Sequence, residues 1–269
     1  KGAGFFLGGV LLMWLDFTGA VRAMAAVLAL VWLASMIFLK KDLGKASSKP
    51  RFRDIFSKSR AINILSAARM LLFGARDVWF VVALPVFLSQ TLGWSHMQTG
   101  GFLALWVIGY GAVQAIAPRI TGRDRESATL WAAGLAILPV LIALGLAVTE
   151  INPALILISG LLLFGVLFAV NSSLHSYLIV SYAGSDGVSL DVGFYYMANA
   201  MGRLIGTVLS GWVFQLAGQG TTGLAACLWI SGGMLVATVI ISLGLPKRAR
   251  PGPHGAEPQE PEHQEKIPQ

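Results

Sequence analysis

The sequence predicts an all-α integral membrane protein. Hydrophobic residues make up 55% of its 269 residues and charged residues only 12%, and the mean hydropathy is +0.70, well above the range of soluble domains. Long apolar tracts alternate with short polar or basic segments, which is the pattern of membrane-spanning helices of about 20 residues. Because loops rich in Lys and Arg stay in the cytoplasm, the basic segments also predict the orientation of the spans.

The formal net charge of +7 does not indicate nucleic-acid binding. The basic residues lie in loops beside apolar tracts and are not interleaved with aromatic residues on a soluble surface. A single cysteine, Cys227, excludes an internal disulfide and a thiol-based metal site. No zinc-ligand spacing, nucleophile elbow, P-loop or dinucleotide fingerprint occurs, so we predict neither an enzyme nor a bound cofactor.

Residues 1–39 are predicted to contain two spans. Residues 2–15 are apolar but short for a complete span, residues 16–19 form a turn, and residues 20–39 form a full span. The chain is already apolar by Gly4 and shows no cleavable leader ahead of it. We therefore expect it to be part of a larger protein.

Residues 40–61 form a basic loop, which we predict to be cytoplasmic. The loop contains eight Lys or Arg residues and two Asp residues. Every other loop is assigned to a side of the membrane by counting from it.

Residues 62–245 are predicted to contain six further spans, at 62–88, 101–117, 128–148, 154–179, 192–216 and 223–245. The basic segments 118–126 and 246–250 fall on the cytoplasmic side, as the alternation of spans requires. The segment 183–191 has no basic residue and gives this assignment no support. The tail 246–269 is rich in Pro, Glu and Gln, and we predict that it is disordered and cytoplasmic.

A weak internal repeat relates residues 1–9 to residues 203–211. With an offset of 202, Lys1 matches Arg203, Gly4 matches Gly206 and Gly9 matches Gly211. Small residues at this spacing are also a general helix-packing signal. If the repeat reflects two parallel six-helix halves, about four helices precede this chain. That is the architecture of the major facilitator superfamily, with helices five to twelve present here and residues 40–61 joining the halves.

Polar residues are distributed unevenly among the predicted spans. Helices six, nine and twelve carry almost none, whereas helices seven, eight, ten and eleven carry many, which predicts a cavity shared by these four helices. These residues are Arg69, Arg76 and Asp77 in helix seven, Trp106, Tyr110 and Gln114 in helix eight, Asn171 and His175 in helix ten, and Tyr195, Tyr196, Asn199 and Arg203 in helix eleven.

Arg76 and Arg203 are predicted to lie near the middle of the membrane. An arginine at that depth costs about 2.5 to 3.5 kcal/mol on the insertion scale unless it is compensated. An anionic substrate would compensate it, because the guanidinium fork matches phosphate or carboxylate oxygens in pairs. The alternative is a fixed internal salt bridge with Asp77. Arg69 shares a helix face with Arg76 and either relays the substrate or snorkels to the interface.

The remaining candidates have open alternatives. Tyr110, Tyr195 and Asn199 are candidate cavity-lining residues, although aromatic residues also pack between helices. Asp77 either carries a coupling proton or acts as a counter-ion. His175 is either a proton carrier or a plain interfacial histidine near the cytoplasmic end of its span.

Three segments carry a family resemblance: RFRDIFSKSRAINILSAARMLLFGARDVWFVVALPVFL (51–88), GGFLALWVIGYG (100–111) and NSSLHSYLIVSYAG (171–184). They closely resemble the ArsJ-type organoarsenical efflux permeases of the major facilitator superfamily, and the similarity extends to about residue 245. The resemblance implies a multi-pass exporter of 1-arseno-3-phosphoglycerate in the bacterial inner membrane, conferring arsenate resistance. It also implies a functional link to glyceraldehyde-3-phosphate dehydrogenase, which makes this ester from arsenate.

Residue chemistry alone indicates only that the passenger is an anion, and we expect its export to be driven by exchange for protons. Export of another anionic metabolite or drug is therefore an alternative. A non-transporting membrane scaffold or sensor is another, and it requires the internal arginines and aspartate to be paired permanently with no net charge left for a ligand.

Overall fold

The computed structural model describes residues 2–39, 59–122, 124–148, 152–183 and 188–246. All regular elements in these ranges are helical, which confirms the predicted all-α class. Most of the basic loop, residues 184–187 of segment 183–191 and nearly all of the tail lie outside the described residues. The helices are α1 (Gly2–Phe38), α2 (Arg60–Phe80), α3 (Ala83–Gln90), α4 (His96–Ile116), α5 (Arg125–Val148), α6 (Pro153–Tyr182), α7 (Val188–Leu216) and α8 (Gly220–Ser242), with a short 3₁₀ turn at Ala117–Arg119.

Six helical segments of the described residues are long and apolar enough to cross a membrane. They are α1, the combined α2 and α3, α4 with the turn that follows it, α5, α6 and α8. The sequence predicted eight spans, and two differences account for the change. The first two predicted spans are two helices that meet at a kink at Asp16 and count as one segment, and α7, although 29 residues long, is not among the six. Its polar residues include Asn199 and Arg203.

The predicted turn at residues 16–19 is reduced to one residue. Only Asp16 has non-helical backbone angles within α1, with φ 56° and ψ 178°. A positive φ is uncommon outside glycine, and aspartate is among the few side chains that tolerate it. The chain therefore changes direction at Asp16 itself, and the residues after it are helical again.

Local sequence signals explain where several helices begin. Ser95 and Gln98 form a capping box ahead of α4, with the Gln98 amide donating to Ser95 Oγ at 3.2 Å and the Ser95 amide donating to Gln98 Oε1 at 2.8 Å. Asn152 caps α6 by accepting from the Ala154 amide at 2.9 Å, and Pro153 occupies the first helical position. These caps satisfy amides that the helix itself leaves unbonded.

Helices α2 and α7 cross at close range because three glycines meet there. A Cβ at Gly202 would collide with the carbonyl of Met70, and one at Gly206 would lie 2.6 Å from the Gly74 oxygen and 3.0 Å from Asp77 Cβ. Small residues allow two backbones in a membrane to approach in this way. The crossing brings Arg203, the neighbour of Gly202, against Asp77.

The helix that begins at Arg60 is interrupted between Phe80 and Ala83. At this break the backbone amides of Val82 and Ala83 donate to Ser210 Oγ, at 3.3 and 3.1 Å. Amides inside a membrane have no water to bond, so a broken helix needs such a partner. Ser210 on α7 therefore supports the junction of α2 and α3.

The contacts show that the described helices alternate in direction. Along α2, residues 70 to 82 meet α7 residues 202 to 210 in increasing order, so these two helices are parallel. Phe73 contacts Phe168 and Trp79 contacts Phe164, so α2 and α6 are antiparallel. Arg125 at the start of α5 donates to the carbonyls of Leu243 and Leu245, which follow the end of α8, both at 3.3 Å. The start of α5 therefore lies beside the end of α8, as expected for antiparallel helices. This order agrees with the alternation that the loop charges predicted.

Candidate functional site

The ion pairs of the described residues join Arg76, Asp77 and Arg203, which we call the Asp77 cluster. The Asp77 carboxylate is completely buried. Its Oδ1 accepts from Arg76 Nε at 2.6 Å, and its Oδ2 accepts from Arg203 Nε at 3.0 Å. One negative charge is therefore shared by two positive charges, and the cluster has a net charge of +1.

Arg203 is the accessible member of this cluster. Its side chain is 43% exposed, whereas that of Arg76 is 11% exposed. Within the described residues, Arg203 bonds Asp77 through Nε alone, which leaves both terminal amino groups available. Two parallel N–H donors are the arrangement that binds a phosphate or carboxylate in bidentate fashion.

Arg76 is enclosed by the carboxylate and by two aromatic rings. Its guanidinium carbon lies 5.0 Å from the centroid of Phe73 and 5.1 Å from that of Phe168. These cation–π contacts stabilise a guanidinium group that has left water. Arg76 therefore holds one oxygen of Asp77, while Arg203 is presented to the outside of the cluster.

Arg69 is more buried than Arg203 and contacts two neighbouring helices, α6 and α7. Its side chain is buried, Nε donates to Asn199 Oδ1 at 3.2 Å and Nη1 donates to the Ser172 carbonyl at 3.0 Å. Its guanidinium carbon lies 4.0 Å from the centroid of Phe73 and 5.1 Å from that of Tyr195. The interpretation that Arg69 snorkels to the membrane interface is wrong, because the group points inward to neutral acceptors and ring faces.

His175 and Tyr195 are both fully buried beside Arg69. The expectation of a plain interfacial histidine is wrong, because His175 is enclosed by protein. Neither of its ring nitrogens has a hydrogen-bond partner among the described residues. The proton-carrying role of His175, like that of Asp77, stays a prediction, and in this structure Asp77 is the counter-ion of two arginines.

Other predicted residues make contacts with neighbouring helices. Tyr110 is half-buried, stacks on Trp106 with centroids 6.0 Å apart, and contacts Phe168 at 5.8 Å. Trp106 Nε1 donates to the Leu161 carbonyl at 2.8 Å. Asn171 donates to the carbonyls of Trp131 and Leu167, at 3.0 and 2.9 Å, so its amide is directed to α5 and to its own helix.

Sequence reasoning missed Phe73, whose ring lies between Arg69 and Arg76. The signal was available, because residues 69, 73 and 76 follow the spacing of one helix face. Together the three arginines and Asp77 carry a net charge of +2. Such a surplus favours a negatively charged ligand.

The described residues include no group of three or more His, Cys, Asp or Glu side chains that could hold a metal ion. A cavity of about 620 Å³ lies between α1 and α4. It is lined by Leu12, Met13, Asp16, Phe17, Thr18 and His96, and no member of the Asp77 cluster contributes to it. The two features are therefore separate.

Comparison with known proteins places the chain in a family. Residues 2–190, more than half of the chain, match the family model of the Major Facilitator Superfamily. The chain is 25% identical over 228 residues to the quinolone resistance protein NorB of Staphylococcus aureus strain MRSA252, covering 82% of this chain and 48% of that protein. For the same protein of strain JH9 the identity is 26% over 212 residues, covering 77% and 45%.

The chain thus spans about half the length of the curated relatives that it matches. The family consists of membrane transporters, which agrees with the prediction that the chain is not an enzyme. Its helices, its alternating topology and the family match lead to one conclusion: this chain belongs to the Major Facilitator Superfamily and is a multi-pass membrane protein.

Proposed function

We propose that this protein exports an anionic organoarsenical, 1-arseno-3-phosphoglycerate, from the cytoplasm and thereby confers arsenate resistance. The observation that carries the proposal is the exposed Arg203, held by Asp77 through Nε with both terminal amino groups available. A pentavalent arseno-ester that also carries a phosphate presents several anionic oxygens, which suit a guanidinium fork. The resemblance to ArsJ-type permeases supplies the identity of the ester.

In this proposal each arginine has its own role. Arg203 contacts the passenger, and Asp77 and Arg76 fix the position of Arg203. Arg69 and Asn199, with Tyr195 beside them, add positive potential and polar contacts deeper in the bundle. Tyr110 contacts Phe168, the ring that also packs against Arg76.

The cellular setting is part of the same proposal. The transporter resides in the bacterial inner membrane with its carboxy terminus in the cytoplasm. Glyceraldehyde-3-phosphate dehydrogenase makes the ester on that side. Preceding helices of the same protein complete the cavity, which is consistent with the share of the relatives that this chain covers.

The proposal is tested with everted membrane vesicles from cells that produce the whole transporter. We expect arsenic uptake only when arsenate, glyceraldehyde-3-phosphate and active dehydrogenase with its NAD are all supplied, because the passenger must first be made. Vesicles without the transporter are the control. Uptake of free arsenate without the dehydrogenase would contradict the assignment.

A second candidate function is export of a carboxylate-bearing drug. It is favoured by the similarity to proteins named for quinolone resistance, and by Phe73 and Phe168, which place flat apolar surfaces beside Arg76. A quinolone has both an aromatic ring system and a carboxylate, so it suits such a site. Quinolone uptake in the same vesicles, together with no dehydrogenase-dependent arsenic uptake, would favour this function.

The scaffold or sensor alternative is less well supported. It requires arginine and aspartate charges that cancel within the bundle. In the described residues one carboxylate, that of Asp77, faces two guanidinium groups, and Arg69 bonds neutral acceptors. The charges therefore do not cancel, and positive charge is left for a ligand.

A further inference from the structure

A smaller cavity adjoins the one between α1 and α4, and we call it the methionine cavity. Its volume is about 230 Å³, and it is lined by Met13, Ser89, Trp94, Ser95, His96 and Met97. Met13 and His96 line both cavities. The methionine cavity therefore brings together two thioethers, one imidazole and one indole ring.

The turn that precedes α4 fixes the position of Trp94. Helix α3 ends at Gln90, and Gly93 follows with φ 70°, a backbone conformation that glycine adopts at little cost. The Trp94 amide then donates to the Leu88 carbonyl at 3.0 Å, which ties the turn to α3. The Trp94 ring contacts Phe102, with centroids 5.6 Å apart. The indole is thus held between the end of α3 and the first turns of α4.

Met13 reaches the same cavity from α1, because α1 and α4 cross closely. A Cβ added to Gly9 would lie 3.0 Å from the His96 carbonyl oxygen and 3.6 Å from Gly100 Cα. Met13 follows Gly9 by four residues, about one turn along the same helix face. His96 and Met97 are the first two residues of α4. Two helices therefore contribute side chains to one cavity.

These side chains share a ligand chemistry. A thioether sulfur is a soft ligand that selects Cu(I), and imidazole also binds copper. The face of an indole ring attracts a cation. We propose that the methionine cavity binds a soft monovalent cation, Cu(I) or its heavier d¹⁰ analogue Ag(I). Met13, His96 and Met97 are the ligands, and Trp94 lies against the cation.

The charges around the cavity favour a cation. The protein has a formal net charge of +7, yet the described residues that line the two cavities include no Lys or Arg. They include one carboxylate, that of Asp16, in the larger cavity. The sign of this site is therefore opposite to that of the Asp77 cluster, and an anion would find no basic partner here.

The ligand set also selects among cations. Ca²⁺ and Mg²⁺ need several oxygen ligands, and Zn²⁺ is usually held by cysteine, histidine and carboxylate groups. The described residues contain no group of three or more His, Cys, Asp or Glu side chains. Methionines that only fill space are part of a packed core, whereas Met13 is 52% exposed and lines a cavity beside His96. Soft, monovalent cations are the class that remains.

The test is titration of the purified whole transporter in lipid nanodiscs with silver nitrate in chloride-free buffer. A Cys227→Ala background removes the thiol of this chain, and other thiols of the whole protein are blocked with N-ethylmaleimide. We expect saturable silver binding and an unfolding temperature that rises with silver concentration, because the cation joins α1 to α4 in the folded state only.

Met13→Leu and Met97→Leu should each lower the silver affinity by about tenfold or more, since weaker changes around metal sites already cost that much. Met36→Leu is the matched control, because Met36 lies on the same helix as Met13, is 67% exposed and lines neither cavity. Wild-type affinity in both Met13→Leu and Met97→Leu would overturn the inference. An equal loss in Met36→Leu would also overturn it, and so would zinc bound more tightly than silver.

Tryptophan fluorescence gives a second readout that a purely structural role would not change. The chain has eight tryptophans, so the relevant signal is the difference between wild type and Trp94→Phe. We expect silver to quench wild-type emission and to quench Trp94→Phe much less, while silver still binds that variant. Equal quenching of both proteins would contradict the place given to Trp94. The identity of the passenger does not enter this inference, and the vesicle assay tests it separately.

Discussion

At the scale of single residues, the site depends on an unequal pairing of charges. Two guanidinium groups share the Asp77 carboxylate, and the more exposed of them, Arg203, retains both terminal amino groups. A lysine at the same place would keep the charge but would present one compact ammonium group without the planar fork. Shape and charge can therefore be tested separately at this position.

We expect Arg203→Lys to lower transport of the anionic passenger by about tenfold or more, because the loss of one bidentate, charge-assisted contact is of that size. The measurement is the initial rate of uptake in everted vesicles, normalised to the amount of transporter in the membrane. Arg119→Lys, at an exposed position beyond α4, is the matched control. Equal rates for Arg203→Lys and the wild-type transporter would show that the fork is not used.

Phe73 is the residue that orders two arginines at once, because its ring lies 4.0 Å from the guanidinium carbon of Arg69 and 5.0 Å from that of Arg76. We expect Phe73→Leu to destabilise the protein by about 1 to 3 kcal/mol, from two lost cation–π contacts and an imperfect fit. Thermal unfolding in detergent measures this change.

Phe38→Leu, at a position that is 83% exposed, should leave the unfolding temperature nearly unchanged. If the two variants unfold at the same temperature, the ring does not stabilise the arginines.

The sequence indicated the charged candidates but not their individual environments. Arginines inside apolar tracts are rare enough to predict that Arg76 and Arg203 face the interior. Spacing along one helix cannot show which of them is exposed, since that depends on the neighbouring helix. For this reason the sequence left open whether Arg69 snorkels to the interface. Its hydrogen bonds to Asn199 and to the Ser172 carbonyl are contacts with other helices, which only the tertiary structure shows.

At the scale of helices, the site depends on how closely α2 and α7 approach. We expect Gly202→Ala to disrupt this crossing, because the added Cβ would collide with the Met70 carbonyl, which belongs to backbone and cannot rotate away. Overpacking of this kind costs about 1 to 3 kcal/mol. Gly193→Ala in the same helix, with nothing within 4 Å of the added Cβ, is the control. Thermal unfolding of the two variants measures the difference, and equal stability would contradict the packing.

The break between α2 and α3 gives a second test at this scale. Ser210→Ala removes the acceptor of the Val82 and Ala83 amides, and leaving buried amides unbonded costs about 1 to 3 kcal/mol. Ser231 is also buried, and its hydroxyl has no partner among the described residues, so Ser231→Ala should cost much less. Chemical denaturation in detergent compares them. A larger effect at Ser231 would contradict the role given to Ser210.

Helix boundaries were predicted less well than helix existence. Apolar length identified every tract, but it cannot detect that residues 16–19 stay mostly helical around a single reversed backbone at Asp16. The break at residues 81–82 was not predicted, although Pro85 signals it, because a proline has no amide to bond the Val81 carbonyl and its ring clashes with that carbonyl. The bonds from the Val82 and Ala83 amides to Ser210 on another helix are tertiary contacts that no local pattern reveals.

At the scale of the whole molecule, composition and loop charge were sufficient to predict a multi-pass helical protein with alternating helices. The direction of each contact between α2, α5, α6, α7 and α8 agrees with that alternation. The family assignment then followed from the match over residues 2–190. The passenger is a different matter, because the geometry specifies a charge and a donor pattern, and several anions share both.

The central claim is that positive charge in the middle of this bundle serves an anionic passenger. The most direct measurement is competition in everted vesicles that take up the enzymatically formed arseno-ester. We predict that 3-phosphoglycerate, which keeps the phosphate and carboxylate but lacks arsenic, inhibits uptake, whereas glycerol and the cation tetraphenylphosphonium do not. Inhibition by the cation with no effect of 3-phosphoglycerate would contradict the account.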